Sequence, residues 1–376
     1  MIYFDNAATT KCSSEALDIY NEYARDYFYN PSTLYAQGVK VKREINQART
    51  DILNIINASS SDNLIFTSSG TESNVTALLG TKKKPGTRII ISASEHNSVY
   101  QTSMELKRRG FEVVFVPVDS RGLVNVDAFS TLLSKNVSLV SIMHVNNETG
   151  GINNIKKLAE MAKKASRDIL FHSDGVQALG KIKIDITDLG VDFYSCSAHK
   201  IEGPKGCGAL FIKNNQYIAP LIWGGGQEFN IRSSTENVPA IMSFSYALRN
   251  SYKSLDENLK KVNLLFNILY DYFSTYKDVK ILSPHNGSPY ILTVSLAGIR
   301  GEVMQHALET EDILIGTGSA CVSNKKNKRI PEALNLETPF ANGLIRISFN
   351  HNNTTEEASR FITSFEKIYK KLSNHN

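Results

Sequence analysis

The sequence predicts an α/β protein with a large domain, built on a mainly parallel seven-stranded sheet, and a smaller α+β domain. Between about residues 50 and 215, seven short apolar runs alternate with longer helix-like stretches. These runs are nearly continuous in apolar residues, which is typical of strands that are buried on both faces. The length of 376 residues exceeds that at which a single hydrophobic core keeps growing, so two domains are expected.

The elements of the large domain follow in order along the chain. Its strands are predicted at residues 63–67, 88–92, 112–118, 139–145, 168–174, 191–197 and 208–213. Helices are predicted between them at 71–80, 96–109 and 153–166, of which the second opens with Asn97 and Ser98 and stops at Gly110. Helices that connect successive strands let those strands run parallel in one sheet.

The chain is expected to leave the large domain through one long helix. Residues 238–275 are amphipathic and contain no Gly or Pro after Pro239, which predicts a single connecting helix. Short strands, a helix near 301–310 and a final helix from about residue 354 follow, as in a small α+β unit. The strands are predicted at 279–283, 290–298, 313–316 and 344–349. The predicted domains are a large one at 15–255 and a small one formed by 1–14 and 256–376.

Composition and charge narrow the class of protein. The net charge of +5 is small against 42 basic and 37 acidic residues, so it argues only weakly for an anionic partner. The N-terminus has no signal-peptide pattern, and no run approaches the eighteen consecutive apolar residues of a membrane span. Four cysteines without a C-x-x-C pair do not make a disulfide scaffold. We therefore expect a cytoplasmic protein that neither enters a membrane nor is secreted.

Two further classes of protein are disfavoured. The basic runs at 82–84 and 325–329 are short and lack interleaved aromatic residues, so solvated faces or partner docking are favoured over direct nucleic-acid binding. No pair of histidines has metal-ligand spacing, so no metal is predicted.

Polar residues cluster at three of the predicted strand ends, where parallel α/β sheets bind their ligands. They are Gly70 and Thr71 after the first strand, Asp174 and Gln177 after another, and Ser197, His199 and Lys200 after a third. Gly70 and Thr71 open a helix whose N–H groups suit a phosphate, with an ordinary N-cap as the alternative. For Asp174 the alternative is an Asx-turn, and for Lys200 it is a solvated charge.

Together these groups match one cofactor, pyridoxal 5'-phosphate (PLP). PLP needs a phosphate cradle, an acid that keeps its ring nitrogen protonated, and an amine that forms a Schiff base. A buried carboxylate such as Asp174 can keep the ring nitrogen protonated by charge pairing. His96, after a further strand, is the candidate for packing on the ring face, and a satisfied structural histidine is its alternative.

Ten motifs make the sequence similar to a known family nearly end to end. They are YFDNAATT (3–10), NPSTLYAQG (30–38), FTSSGTESN (66–74), SEHNSV (94–99), MHVNNETG (143–150), HSDGVQ (172–177), SAHKIEGPKGCG (197–208), GGGQEFNIRSSTENVP (224–239), GTGSACVS (316–323) and IRISF (345–349). In these motifs the chain resembles the cysteine desulfurases of the NifS/IscS type, within the class V aminotransferase family. The resemblance implies the PLP-dependent transferase fold (fold type I) and a PLP-dependent sulfurtransferase.

The resemblance also implies a role for each matching residue. Lys200 would form the imine with PLP, and His96 would stack on its ring. The other implied contacts are Asp174 to the ring nitrogen, Gln177 to the phenolic oxygen, Asn147 to cofactor and substrate, and Gly70, Thr71, Ser197 and His199 to the phosphate. Thr235 of the partner subunit would complete the phosphate site, which implies a homodimer. Arg346 would hold the substrate carboxylate with its planar guanidinium, and without the motif a surface ion pair would be its simpler interpretation.

Cys321 is the candidate nucleophile. It precedes a polar, basic stretch that offers little apolar surface to hold it in place, and basic residues follow it closely, which suits a reactive thiol. These residues are Lys325, Lys326, Lys328 and Arg329. The other cysteines, Cys12, Cys196 and Cys207, are interpreted as small buried hydrophobic residues. The resemblance implies that the Cys321 thiolate takes the sulfur of L-cysteine as a persulfide and that L-alanine is released.

The sequence departs from the family pattern at Tyr35, where histidine is usual, and at Ser234, where glycine is common. Serine is less suited than glycine to a positive φ, so the change at Ser234 bears on the backbone around Thr235. A selenocysteine lyase or another class V aminotransferase-type enzyme would share the same PLP site, and a non-catalytic platform would share only the fold. The intact Lys200, Asp174 and Cys321 argue against the platform. The sulfur acceptor, an iron–sulfur scaffold protein or a tRNA-thiolation enzyme, is left open.

Overall fold

Two β-sheets organise the residues that the computed structural model describes, which are 1–318 and 329–373. The strands are β1 (Ile2–Phe4), β2 (Asn63–Thr67), β3 (Arg88–Ser92), β4 (Glu112–Val116), β5 (Val137–Ser141), β6 (Leu170–Asp174), β7 (Phe193–Ser197), β8 (Gly208–Ile212), β9 (Val279–Ile281), β10 (Ile291–Leu296), β11 (Ile313–Thr317) and β12 (Leu344–Ser348). The helices are α1 (Ser14–Arg25), α2 (Ala36–Ile55), α3 (Gly70–Gly80), α4 (Asn97–Arg108), α5 (Val126–Leu132), α6 (Ile155–Ala165), α7 (Ile186–Leu189), α8 (Val238–Lys253), α9 (Leu255–Ser274), α10 (Gly301–Glu309), α11 (Arg329–Ala333) and α12 (Thr355–Ser373). Short 3₁₀ turns span Ala198–Lys200 and Glu228–Asn230.

The large sheet has seven strands in the order β2-β8-β7-β6-β5-β3-β4. Its pairs from β7 to β4 are parallel, whereas β8 is antiparallel to both β7 and β2. Six strands therefore point the same way, and their carboxyl ends meet at one edge of the sheet. The predicted mainly parallel seven-stranded sheet is confirmed.

The small sheet has five strands in the order β1-β11-β12-β10-β9. Strand β1, from the beginning of the chain, pairs in parallel with β11, and the other pairs are antiparallel. This sheet packs with α9, α10 and α12 around a hydrophobic core of its own. The predicted smaller α+β unit is confirmed, and the domain boundaries at 15–255 and at 1–14 with 256–376 stay a prediction.

The single connecting helix predicted at 238–275 is wrong. Two helices, α8 and α9, meet at Ser254, whose φ of −108° and ψ of 15° are not helical. Ser254 ends α8 with its N–H bonded to Asn250 O, and Asp256 and Glu257 then occupy the first turn of α9. Acidic residues after a serine are a helix start signal, so a break arises here without Gly or Pro.

The expectation that the stretch after Cys321 offers little apolar surface is wrong for its later part. Helix α11 buries Ile330, and Leu334 directly after it is also buried, both against the core of the large sheet. These two residues are four positions apart and thus lie on one helical face. The chain from residue 329 onward is therefore anchored by packing.

None of the helices in the described part of the chain is long and apolar enough to cross a membrane.

Candidate active site

One cavity of about 410 Å³ lies between the carboxyl edge of the large sheet and the small sheet. Ten of the residues proposed from the sequence line it: Gly70, Thr71, His96, Asn147, Asp174, Gln177, Ser197, His199, Lys200 and Arg346. They come from the carboxyl ends of β2, β3, β5, β6 and β7 or from the turns that follow these strands, and from β12. The structure therefore brings together side chains that are up to 276 positions apart in the chain.

The N-terminus of α3 forms one end of the cavity. Ser69 caps this helix by accepting a hydrogen bond from Glu72 N, and Gly70 is its first residue. A Cβ at position 70 would lie 2.6 Å from Val176 Cγ2, so this close approach requires glycine. Ser197 Oγ is buried and has no hydrogen-bond partner among the described residues. Unpaired helix N–H groups beside a buried hydroxyl form a site for an anion such as a phosphate.

Asp174 is the last residue of β6, and its carboxylate is buried. It accepts hydrogen bonds from Asn74 Nδ2 at 2.7 Å and from Val176 N at 3.0 Å. These bonds fix both oxygens on the side of the cavity. Asn74, a buried residue of α3 and the last of the FTSSGTESN motif, was not proposed from the sequence, because an asparagine inside a helix carries no sign of its partner.

His96 caps the N-terminus of α4 and is tied to Asp174 through a chain of hydrogen bonds. Its Nδ1 accepts from Ser98 N at 3.2 Å and lies 2.8 Å from Ser98 Oγ. Asn74 Nδ2 donates to that same hydroxyl at 2.9 Å. Burial is the main factor that lowers the pKa of His96, and the charge of Asp174 partly offsets it. The imidazole is therefore held in one orientation and favours the neutral form.

Lys200 lies in the 3₁₀ turn after β7, and it is not a solvated charge. Its Nζ donates to the main-chain oxygens of Ala7 and Ala8, each at 2.7 Å. Burial, followed by the charge of Arg346, lowers the pKa of Lys200 to about 8. The amine is consequently closer to its neutral, nucleophilic form at physiological pH than an exposed lysine.

His199 lies beside this lysine and faces the same cavity. Its Nδ1 is 3.1 Å from Thr9 Oγ1, which holds the ring in place. Burial, with the nearby charge of Lys200, lowers the pKa of His199 to about 4. The ring is therefore neutral and available as a hydrogen-bonding group.

Lys181 is buried behind this cavity, in contact with Gln177, and was not proposed from the sequence. It is only 4% exposed, and its Nζ donates to Gln177 Oε1 at 2.8 Å. Gln177 Nε2 donates in turn to Ala7 O at 2.9 Å. Because the Ala7 carbonyl can only accept, the Gln177 N–H₂ faces Ala7 on the cavity side and the Gln177 oxygen faces Lys181. Burial lowers the pKa of Lys181 to about 7.

Arg346, on β12, is 8% exposed and is held by one group near the N-terminus and one from the middle of the chain. It donates to Asn147 O at 2.9 Å and to Asp5 Oδ1 at 3.1 Å. Its Nε and the nearby cavity-lining Asn147 Oδ1 are buried and have no partner within residues 1–318 and 329–373. A pre-oriented guanidinium with an unused donor suits a ligand carboxylate.

Glu95 and Arg329 also line the cavity, and neither was assigned a place there from the sequence. Glu95 Oε1 accepts from Met143 N at 2.7 Å, and burial raises the pKa of Glu95 well above its usual value. Arg329, expected only as a basic neighbour of Cys321, instead contacts the residues around His96. A glutamate directly before His96 is only a weak sequence signal for a residue of the active site. Arg329 had no sequence signal that would place it at this cavity.

The structure does not place every proposed residue at this cavity. Cys321 falls outside the described residues. Thr235 lines a separate cavity of about 220 Å³ together with Arg232. Ser234 beside it has a φ of 131°, in the region that favours glycine, so the expected backbone consequence of this departure is present. Tyr35 is exposed at the start of α2.

The residues of the cavity fit PLP together with an amino acid. Buried polar atoms that lack a partner in the described part of the chain include Ser197 Oγ, Asn74 Oδ1, Asn147 Oδ1 and Arg346 Nε, and their residues all line the cavity. Unsatisfied buried groups are destabilising unless a ligand or water pairs with them. PLP requires a site for its phosphate, a carboxylate for its ring nitrogen and an amine of lowered pKa, and this cavity provides all three.

Comparison with known proteins agrees with this geometry. Residues 2–361 match the family model of aminotransferase class-V. The chain is 40% identical to a NifS/IcsS protein homolog of Lactobacillus delbrueckii subsp. bulgaricus, over 100% of this chain and 99% of that protein. It is 37% identical to a cysteine desulfurase IscS of Dictyoglomus turgidum, over 99% of this chain and 95% of the relative. A solved structure of a NifS-like protein superposes with a TM-score of 0.92 and 34% identity, covering 98% of this chain and 99% of the other. The chain therefore belongs to the class-V aminotransferase family of PLP-dependent enzymes, and within it to the cysteine desulfurases of the NifS/IscS type.

Proposed function

We propose that this enzyme removes the sulfur atom from L-cysteine, releases L-alanine and keeps the sulfur as a persulfide on Cys321. One observation carries the proposal: Lys200 Nζ, the Asp174 carboxylate, the N-terminus of α3 and Arg346 line the same cavity. An amine, an acid, an anion site and a carboxylate clamp are the set that PLP chemistry on an amino acid needs.

The groups that would hold PLP are distributed along the carboxyl edge of the large sheet. The N-terminus of α3, Ser197 and His199 would hold the phosphate, Asp174 would pair with the ring nitrogen, and the cavity-side N–H₂ of Gln177 would donate to the phenolic oxygen. His96, held through Ser98 and Asn74, would pack on the ring. When bound, PLP gives the substrate amino group an imine partner and withdraws electrons from the adjacent carbons.

Arg346 would bind the carboxylate of L-cysteine. Its bonds to Asn147 O and Asp5 Oδ1 orient the guanidinium before substrate arrives, and its buried Nε remains as a donor. Because the donors are already fixed in place, little side-chain freedom is lost when the carboxylate binds.

Lys200 would move protons at the substrate carbons. With a pKa lowered to about 8, a substantial fraction of its Nζ is neutral near pH 8 and can accept the proton from the substrate Cα. The ammonium that results can return a proton to carbon when alanine forms. The carbonyls of Ala7 and Ala8 hold this nitrogen at the cavity while it is charged.

Cys321 would receive the sulfur. Its thiolate attacks the substrate sulfur, so an S–S bond forms as the carbon–sulfur bond breaks, and the electron pair of the broken bond remains on the carbon fragment that becomes alanine. Although Cys321 lies outside the described residues, Thr317 and Arg329 on either side of its segment both line the cavity. This placement of the flanking residues supports delivery of the thiol to the site.

The test is turnover of L-cysteine by the wild type, the C321A variant and the C12A control. We expect about one trapped persulfide per chain at Cys321, with alanine formed in equal amount, and sulfide release when a thiol reductant is present. C321A should retain the absorbance of bound PLP and lose sulfide release, whereas C12A should behave like the wild type. Sulfide release by C321A at the wild-type rate, or turnover of selenocysteine without turnover of cysteine, would contradict the proposal.

We further propose a homodimer in which Thr235 of the partner subunit completes the phosphate site. Thr235 lines a cavity separate from that of Lys200 within its own chain. Another cavity, lined in part by Ser233 two positions before Thr235, has large exposed apolar side chains: Tyr217 at 64%, Trp223 at 79% and Phe229 at 53%. Exposed apolar groups of this size are typical of an interface. Light scattering should give twice the chain mass, and Trp223→Glu should weaken the dimer and PLP binding together. A monomeric, fully active wild type would exclude this arrangement.

The sulfur acceptor is proposed to be a protein, either an iron–sulfur scaffold or a tRNA-thiolation enzyme, in the cytoplasm. The three described cysteines are free thiols, which fits a reducing compartment. Transfer of isotope-labelled sulfur from the persulfide to each purified acceptor class would distinguish them. Transfer to neither class would contradict this part of the proposal.

A further inference from the structure

Arg329 makes an unusual set of contacts for a residue that follows the cysteine segment. Its guanidinium reaches the turn between β3 and α4, which we call the His96 turn and define as residues 93–97. It donates to Ala93 O at 3.1 Å, to Glu95 O at 2.8 Å and to Asn97 Oδ1 at 3.1 Å. Two of these acceptors belong to the residues directly before and directly after His96.

The guanidinium is also held on its face. Its central carbon lies 4.5 Å from the centre of the Tyr100 ring, on the first turn of α4. A stacked guanidinium that also donates in its plane loses much of its rotational freedom, so its hydrogen bonds are directional. Burial lowers the pKa of Arg329. An arginine guanidinium nevertheless stays charged in proteins.

The base of this side chain is rigid. Arg329 is the first residue of α11, and the next residue, Ile330, is buried in the core of the large sheet together with Leu334. The contact therefore ties the His96 turn to a packed element that lies 234 positions later in the chain. A turn that is held from outside as well as by its own helix cap has fewer accessible conformations.

His96 depends on this turn for its orientation. Its Nδ1 is used in capping α4, so the plane of its ring follows the main chain of residues 95–97. A ring that packs on a cofactor must keep its plane and distance, because small displacements in an active site change the rate strongly.

We propose that Arg329 is a positioning residue, which holds the His96 turn so that the imidazole packs on the ring of bound PLP. The inference rests on the proposed role of His96 in a PLP enzyme. Arg329 acts through main-chain oxygens before His96 and through the Asn97 side chain after it, whereas the substrate carboxylate is assigned to Arg346.

The test uses the PLP-loaded enzyme and compares Arg329→Met, Arg329→Lys and Tyr100→Leu with the wild type. The visible circular dichroism per bound PLP reports how the protein holds the cofactor ring, and it is measured without substrate. Arg88→Met is the matched control, because Arg88 also donates to a main-chain oxygen, Leu132 O, but at the opposite end of β3. PLP content is measured for every variant.

We expect Arg329→Met to keep its PLP while its dichroism per cofactor falls by about half or more, and kcat for L-cysteine to fall by about tenfold with KM changed less than about threefold. Arg329→Lys should recover part of both, because an ammonium can donate to some of the same oxygens. Tyr100→Leu should give a smaller change in the same direction, and Arg88→Met none.

Wild-type dichroism in Arg329→Met, or an equal change in Arg88→Met, would overturn the proposal. A rise in KM with unchanged kcat would also overturn it, since Arg329 would then bind substrate directly. Should Arg329→Met fail to retain PLP, Arg329→Lys and Tyr100→Leu decide the matter, and wild-type dichroism in both would refute it. The dichroism is measured without turnover. A wild type that binds PLP but releases no sulfide would therefore refute the desulfurase function and leave the proposed role of Arg329 open to the same test.

Discussion

The active cavity has two walls that are built in different ways. The sheet wall consists of the carboxyl ends of β2, β3, β5, β6 and β7 and the turns after them, where functional residues lie at or shortly after the end of a strand. The far wall consists of Ala7, Ala8, Arg329 and Arg346, which reach the cavity from the N-terminus, α11 and β12. In the sheet wall a strand end sets where each side chain lies. In the far wall long-range packing sets it, so the two walls should respond differently to substitution.

The sheet wall should show the largest effect, at Lys200. We expect Lys200→Ala to lower the rate of alanine formation from L-cysteine by about 10³-fold or more, because the neutral amine that moves protons at the substrate carbons is lost. After borohydride reduction, mass spectrometry should find PLP attached to the wild type and not to the variant. The exposed Lys205, five positions later, provides the control Lys205→Ala, which should keep both properties. Turnover near the wild-type rate in Lys200→Ala would show that the sheet wall does not carry the chemistry.

The far wall should show its main effect in substrate binding, at Arg346. Losing a charge-assisted hydrogen bond to a carboxylate should lower kcat/KM for L-cysteine by about 10- to 100-fold in Arg346→Met, mostly through KM. Arg346→Lys should recover little, since Asn147 O and Asp5 Oδ1 hold a guanidinium fork that an ammonium cannot match. Arg360→Met, at an exposed arginine of the same unit, should have no effect. An unchanged KM in Arg346→Met would remove this residue from the substrate site.

Lys181, behind the sheet wall, should affect the pH dependence of stability. Its pKa of about 7 in the folded chain lies below the value of about 10.4 for an exposed lysine, so the unfolded chain binds more protons between these values. The free energy of unfolding of the wild type therefore rises with pH across that window. Lys181→Met should be more stable by about 1–3 kcal/mol below pH 7 and should lose this advantage near pH 10.4.

Urea unfolding at equal PLP concentration measures this difference, and the exposed Lys183→Met is the control. A stability gain in Lys181→Met that does not change with pH would show that burial of the charge is not its cause.

The smallest effect is expected at Ser234, away from both walls. Its φ of 131° is strained for serine, so Ser234→Gly should raise the free energy of unfolding by about 1 kcal/mol. Ser32→Gly, at an exposed turn serine without a positive φ, should be neutral or slightly destabilising. Thermal unfolding of both variants tests this, and a loss of stability in Ser234→Gly would mean that the serine makes a compensating contact.

Much of the sheet wall could be predicted because its signals are local. Each predicted strand of the large sheet overlaps an observed one, and Asp174, Ser197 and Lys200 lie at or just after strand ends, as expected. The break at Ser254 was missed because helix periodicity continues on both sides of it, and only the dihedral angles of one residue change.

What the sequence by itself determined is the succession of strands and the residues at their carboxyl ends, because apolar runs and the turns after them are encoded within a few positions. Only the tertiary structure decided which remote groups face those ends. Arg329 meets Ala93 across 236 positions, and Arg346 meets Asn147 across 199. The lowered pKa of Lys181 likewise depends on burial by many neighbours. Such properties arise from contacts between distant segments, and no local pattern of residues carries them.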